Sequence, residues 1–418
     1  MAAIIEFMRR IVFTALLLAV PLLAEDRDAR VDWLAKHAVP VRTVDPHDDD
    51  FADLAPLRKT LAGARVVMLG EPNHGDGTSF LAKTRLIRFL HEKMGFDVMA
   101  FESGLYDCTK AQERLAAGEP ARVALRRCIF RVWTDSAEFQ PLADYFDAQR
   151  KAQRPLELAG VDCQFSGDAP QESFLADLRA QGFADPLVDR IVPHLIDSTW
   201  EVDTEPRPPA EEQAAFAQMV ERWRASAKSA YWQNVLENLR VFAEEEWNTK
   251  LSDNAVSSAM RDRQMGKILV WTARERYPKR KIIVWAATFH NARNVRTIEI
   301  DSPKLRHLYD ANAPMGEWGK NALGDELYSI GITAAEGEYA RMFEKTAHPL
   351  VASHDSLEDL FARAGFTNAF LDFHHVPEWM HMPMPGQIVG HIEGRADWTR
   401  IVDGVLFVRR MERSHKAK

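Results

Sequence analysis

Several familiar signatures are missing from this 418-residue chain. There is no GxSxG elbow, which argues against a serine α/β-hydrolase. There is no HExxH, which argues against a zincin, and no GxGxxG or Walker loop, which argues against nucleotide binding of those two kinds. Cysteine is scarce at three residues, and without CxxC spacing they do not make a zinc site. An excess of bases is lacking too: 53 Lys and Arg stand against 61 Asp and Glu, interspersed, for a net charge of −8. No basic stripe offers a nucleic-acid surface. Internal repeats and low-complexity tracts are absent. What is present is an ordinary globular balance, 46% hydrophobic and 27% charged. The length suits one large domain or a core domain with a sizeable insertion.

One apolar run stands apart. Arg9 and Arg10 precede Ile11 to Ala24, and EDRDAR follows. A basic start, a short apolar stretch and a small final residue read as a secretory signal over residues 1–24, although Leu22 suits the position three before the cut poorly. The run is short for a bilayer helix, and the alternative is an uncleaved anchor. Either way the rest of the chain is expected outside the cytoplasm, periplasmic or secreted, with no second candidate span. Export makes a disulfide possible. Cys108 and Cys128 are then the natural pair with Cys163 left over; the alternative is three reduced thiols.

Seven short apolar runs read as strands: 65–70, 97–102, 156–162, 281–286, 326–333, 368–373 and 404–410. The first four barely alternate with polar residues, as strands buried on both faces do. A helical pattern lies between the first two, giving a parallel strand–helix–strand unit. From 171 to 277 helical periodicity takes over. The expected architecture is α/β: a mostly parallel sheet with helices on both faces plus a helical insertion subdomain. The core is then 25–170 and 278–412, the insertion 171–277, and the tail 413–418 is expected to fray.

In such sheets ligands sit outside the carboxyl ends of the strands. Glu71 and His74 follow the first strand in GEPNHGDG, Glu102 the second, Asp162 the third, and His290 the fourth in TFHNAR. A neutral imidazole takes a proton from water, a carboxylate fixes its tautomer, and a second histidine stabilises the oxyanion or protonates the leaving group. His74 is read as the base, Glu71 or Glu102 as its orienting group, and His290 as the assisting group. Lys83, Arg261 and Asp162 are read as substrate-binding. Alternatively the cluster is a hydrogen-bonded network that only pins loops. Cys163 is read as packing rather than nucleophile. His374, His375, His381 and His391, in the segment 373–391, are read as a loop over the carboxyl edge.

The stretch LGEPNHGDGTSFLAKTRLIRFLHEKMGFDVMAFESG, with GVDCQ, RDRQM, VWAATFHNAR, ELYSIGIT and VDGVLFVRR, resembles the erythromycin esterase-like family over about residues 40–412. The resemblance implies that His74 activates water, that Glu71 and Glu102 are active-site carboxylates, that Lys83 is the family's basic residue and His290 its last motif histidine. It implies hydrolysis of an ester, the macrolide lactone in the best-known members, with no cofactor or obligatory metal. It also implies a cleft between sheet and helical part for a bulky small-molecule substrate. The chain departs from the pattern at Ala287 and Thr288, where the family's WAHNxH motif has histidine and asparagine, and at Ser79, where an acid is usual. These departures, with the signal, separate it from cytoplasmic antibiotic-resistance enzymes and point to a different substrate, a weaker catalyst or a binding role. A metal-dependent hydrolase and a non-catalytic envelope protein binding haem, metal or glycan are the alternatives.

Overall fold

The structure is a computed structural model and describes residues 28–417 apart from 201–205, 250–252, 341–343 and 345. The secretory-signal reading therefore lies outside the described residues. All seven apolar runs are strands, and four shorter ones join them. In chain order they are β1 Val39–Pro40, β2 Val66–Glu71, β3 Val98–Gly104, β4 Glu157–Asp162, β5 Ile282–Ala287, β6 Leu327–Tyr339, β7 His348–Val351, β8 Asn368–Asp372, β9 Met384–Gly386, β10 Gly394–Ala396 and β11 Gly404–Met411.

Nine strands form one sheet in the order β1-β8-β11-β6-β2-β5-β3-β4, with β7 also on β6; β9 and β10 form a separate pair. The neighbours from β11 to β4 all run parallel. Strand β8 runs against β11, and β1 and β7 run against β8 and β6. The fold is α/β around a mostly parallel sheet.

Burial on both faces explains the unbroken apolar runs. Every residue of β2 and β3 is buried. On one face Val67, Leu69 and Phe101 share a core with Phe80, Ile87 and Trp285. On the other, Met68, Ala100 and Val284 share one with Phe216, Leu236 and Met265. The first face is covered by the Gly77–Met94 helix, which ends at Gly95 in a left-handed turn (φ 79°) that favours glycine. The second is covered by helices from the long segment between β4 and β5: Pro186–Ile196, Ala210–Ser226, Ala230–Asn248 and Ala255–Trp271. These helices have no separate core; their apolar faces are buried against the sheet itself.

Two expectations are corrected. The tail, expected to fray, makes contacts over its described residues: Arg413 bridges to Asp76 and Lys416 to Ser136, and the His415 ring bonds Glu138 at 2.8 Å. The late histidines do not share one edge either. Because β8 is antiparallel, it delivers Asp372 and His374 to the amino end of β6, beside Tyr328, whereas His391 returns to the carboxyl edge and reaches Asp76. All three cysteines are buried and free. No helix among the described residues is long and apolar enough to cross a membrane.

Candidate active site

Glu71 is the last residue of β2 and is fully buried. Its Oε1 accepts from Trp133 Nε1 at 3.0 Å and faces His74 Nδ1 at 3.0 Å. Its Oε2 contacts the Lys83 ammonium. A proton on His74 Nδ1 that donates to Glu71 leaves the Nε2 lone pair free. The ring is held edge-on to Trp133, 4.9 Å between centroids. Gly70 lets β2 end here, since a Cβ would lie 2.8 Å from Thr288 Cα.

The turn that carries His74 is pinned from below. Asp76 Oδ2 accepts from Asn73 N at 2.9 Å and from the His391 ring at 2.8 Å. Both side chains of the Asp76–His391 pair are fully buried. Asparagine tolerates the left-handed backbone of His391 (φ 53°), so His391→Asn removes this bond, and the ring's contact with Tyr339, without backbone strain. We expect it to cost about 1–3 kcal/mol in denaturant unfolding, from the stranded carboxylate. A looser turn should also lower kcat roughly tenfold.

Glu102 is the hub of the opposite side. The β3–β4 register shifts between Phe101 and Gly104, and such a bulge re-aims the side chain within it. The β3–β5 ladder stops at Phe101 and Trp285, so the Ala287 N–H is free to donate to Glu102 Oε2 at 2.8 Å. Glu102 Oε1 accepts from Arg261 at 3.0 Å and lies 3.2 Å from His290 Nε2 and 4.0 Å from His74 Nε2. Arg261 also clamps Asp162, and His290 Nδ1 bonds Asp262 at 2.7 Å. Arg261 and Asp262 adjoin on the Ala255–Trp271 helix and point about 100° apart, which lets one helix serve two partners.

The two histidines sit in opposite electrostatic settings. Burial pushes His74 below its ordinary value; the Glu102 charge opposes this and the His290 charge adds to it. Burial alone would lower His290 as well, but Asp262 and Glu102 outweigh it and raise it to about 10. Their surroundings thus favour the neutral form of the His74 ring and the cationic form of the His290 ring. Burial pushes Glu102 up, yet His290, His74 and Arg261 hold it well below the usual carboxylate range. Burial pulls the Lys83 ammonium well below the ordinary lysine value, opposed by Glu102.

These groups floor a cleft of about 410 Å³. Phe130, Val132, Trp133, Phe289 and Leu308 make an apolar wall; Gln164, Glu245, Thr249, Asn254 and Ser257 make a polar one. Of the residues singled out in the sequence, His74, Glu102, Arg261 and His290 reach this cleft. Lys83 and Asp162, read as substrate-binding, do not: both are fully buried, because Lys83 is spent on Glu71 and Asp162 on Arg261. Sequence reading gave no role to Trp133, Asp262, Asp76 or Glu245. Asp262, beside Arg261, could have been found by asking what orients His290; Trp133 carries no local signal. Among the described residues, the one group of three metal-capable side chains with mutually close ligand atoms is His354, Asp355 and Asp359. It lies on the surface, with its carboxylates engaged by Arg30 and Arg363.

A family model for erythromycin esterase matches residues 91–411. The chain belongs to the erythromycin esterase family. Membership supports a hydrolase of that type. Erythromycin esterase type II of Escherichia coli is 23% identical, over 91% of this chain and 97% of that protein. The Bacillus subtilis (strain 168) protein "Putative hydrolase YbfO" is 26% identical over 90% of each chain. In fold, the chain is similar to a succinoglycan biosynthesis protein (TM-score 0.73, 18% identity, 93% of this chain and 98% of that one). It is also similar to a mutant of the erythromycin esterase EreC in its open conformation (TM-score 0.65, 16% identity, 89% and 97%). Of the two departures from the erythromycin esterase pattern at the end of β5, Thr288 packs on Gly70, whereas the contact Ala287 makes with Glu102 is through its backbone N–H and does not depend on the side chain.

Proposed function

We propose that the protein is an exported hydrolase that cleaves a carboxylic ester or lactone with a water activated by His74. Export rests on the basic, apolar and small-residue order of residues 1–24. One observation carries the chemistry: Glu71 fixes His74 Nδ1, while Nε2 faces a cleft whose other histidine is held as a cation. His74 Nε2 takes a proton from water as the water oxygen bonds to the carbonyl carbon. The carbonyl becomes an oxyanion, stabilised by the His290 imidazolium and the Arg261 guanidinium. The tetrahedral centre then expels the alcohol oxygen, which takes the proton back from His74. Glu71 and Glu102 offset the transient charge on His74. The two walls of the cleft fit a small molecule with one apolar and one oxygen-bearing side; a macrolide lactone is one such molecule, and resistance to it one such role.

The test is hydrolysis of aryl esters and macrolides by the chain lacking residues 1–24, with and without chelator. Turnover indifferent to chelator is expected. Turnover abolished by chelator would mean a metal-dependent hydrolase, and binding without turnover an envelope binding protein. The pH dependence of kcat/KM gives a second prediction. Activity needs His74 neutral, so it rises with pH through a value below the ordinary histidine range. It needs His290 charged, so it falls again as pH approaches about 10.

A further inference from the structure

The polar wall of the cleft contains an acid that the mechanism above leaves unused. Glu245 lies in the last turn of the Ala230–Asn248 helix, 5% exposed and lining the cleft. Its Oε1 accepts from Gln164 Nε2 at 2.6 Å. Its Oε2 has the Cys163 thiol at 3.8 Å, a weak partner. The nearby ion pairs close without it. Arg261 pairs with Asp162 and Glu102, and His290 with Asp262 and Glu102. Two cations already face three carboxylates, so a further buried negative charge would go uncompensated. Burial accordingly pushes the Glu245 carboxyl well above the usual range; the Asp162 and Glu246 charges add to this and Arg261 opposes it. An acid that keeps its proton has one hydroxyl to donate. With Oε1 occupied as an acceptor from Gln164, that hydroxyl belongs on Oε2, where the long S–H···O contact from Cys163 uses a lone pair and leaves the hydroxyl proton free to donate. A neutral carboxylic acid used in this way has precedent in enzyme sites.

We propose that Glu245 contacts the substrate as a neutral acid, donating its hydroxyl to an uncharged acceptor oxygen (ether, carbonyl or hydroxyl) on the part held against the helical wall. The site then selects esters that carry such an oxygen over purely hydrocarbon ones. This deepens the hydrolase reading and depends on it for the identity of the ligand, but not for the state of the acid.

The test compares wild type, Glu245→Gln and Glu245→Ala. Infrared difference spectra, wild type minus Glu245→Gln at neutral pH, should show the carbonyl band of a protonated carboxylic acid. Kinetics would use two aryl esters, one with an alkyl and one with an ether-containing acyl chain. Glutamine keeps a neutral donor, so KM for the ether ester should stay within about threefold; alanine should raise it about tenfold, with kcat and the pH profile unchanged. KM for the alkyl ester should rise clearly less than KM for the ether ester in the alanine variant. A missing infrared band overturns the proposal, as does an equal KM loss in both variants or for both esters. If the wild type hydrolysed neither ester, the esterase reading would fall while the band still decided the acid: present, Glu245 is a neutral donor for other chemistry; absent, it is not.

Discussion

Replacing His74 by alanine is expected to lower kcat/KM for ester hydrolysis roughly a thousandfold, nearly all of it in kcat. The ring joins a fixed tautomer to an open nitrogen: Nδ1 is committed to Glu71, and the side chain, which lines the cleft, is still 21% exposed. Alanine removes the proton acceptor and, of the cleft lining, only its edge contact with Trp133, so KM should stay within a fewfold. Glu71 remains paired with Lys83 and Trp133, so the fold should hold. The check is steady-state kinetics with a melting curve for each protein. Added imidazole should restore part of the rate, because the cavity left beside Glu71 fits the missing ring. A variant that kept most of its activity would mean that another group activates the water.

The second large effect is expected from Glu102→Gln. Glu102 accepts from Arg261, from the Ala287 N–H and from His290, and it faces His74. Removing its charge takes one of two carboxylates from His290, so the imidazolium titrates below its present value of about 10. The same change takes from His74 the anion that most favours its protonated form, so His74 drops further below the ordinary histidine range. Both limbs of the pH profile therefore move to lower pH. kcat should fall about a hundredfold, since the imidazolium formed on His74 in the transition state loses the carboxylate that faces its Nε2. The glutamine amide also turns N–H groups toward existing donors, costing about 1–3 kcal/mol of stability. Limbs that stayed in place would show that Glu102 only holds Arg261.

The sheet was legible because burial on both faces writes itself as uninterrupted Val, Ile, Leu and Phe. The site was legible as far as the carboxyl-end rule reaches, which is Glu71, Glu102, Asp162 and His290. That rule cannot give strand direction. The run containing Asp372 reads like the others, yet β8 is antiparallel, and its histidines land on the opposite edge. Nor does it say what a charge is spent on. Lys83 looks like a cation on a helix surface; Glu71 and the Trp285 ring, 4.4 Å away, hold it inside. Trp133 and Glu245 come from segments far from any motif and meet the site only through tertiary packing.

The order of strands sets when this site can come into being. The strand that bears Glu71 lies between β5 and β6, which are made some two hundred residues later. A nascent chain that has not yet reached residue 331 holds β2 without its full set of neighbours. The last strand, β11, and the Arg413 bridge to Asp76 arrive last of all. Pairings over such separations form slowly, because the intervening loop must close first. The centre of the sheet is thus completed only after the strand that flanks β2 on its far side has been made, and Glu71 stands at a half-built edge until then.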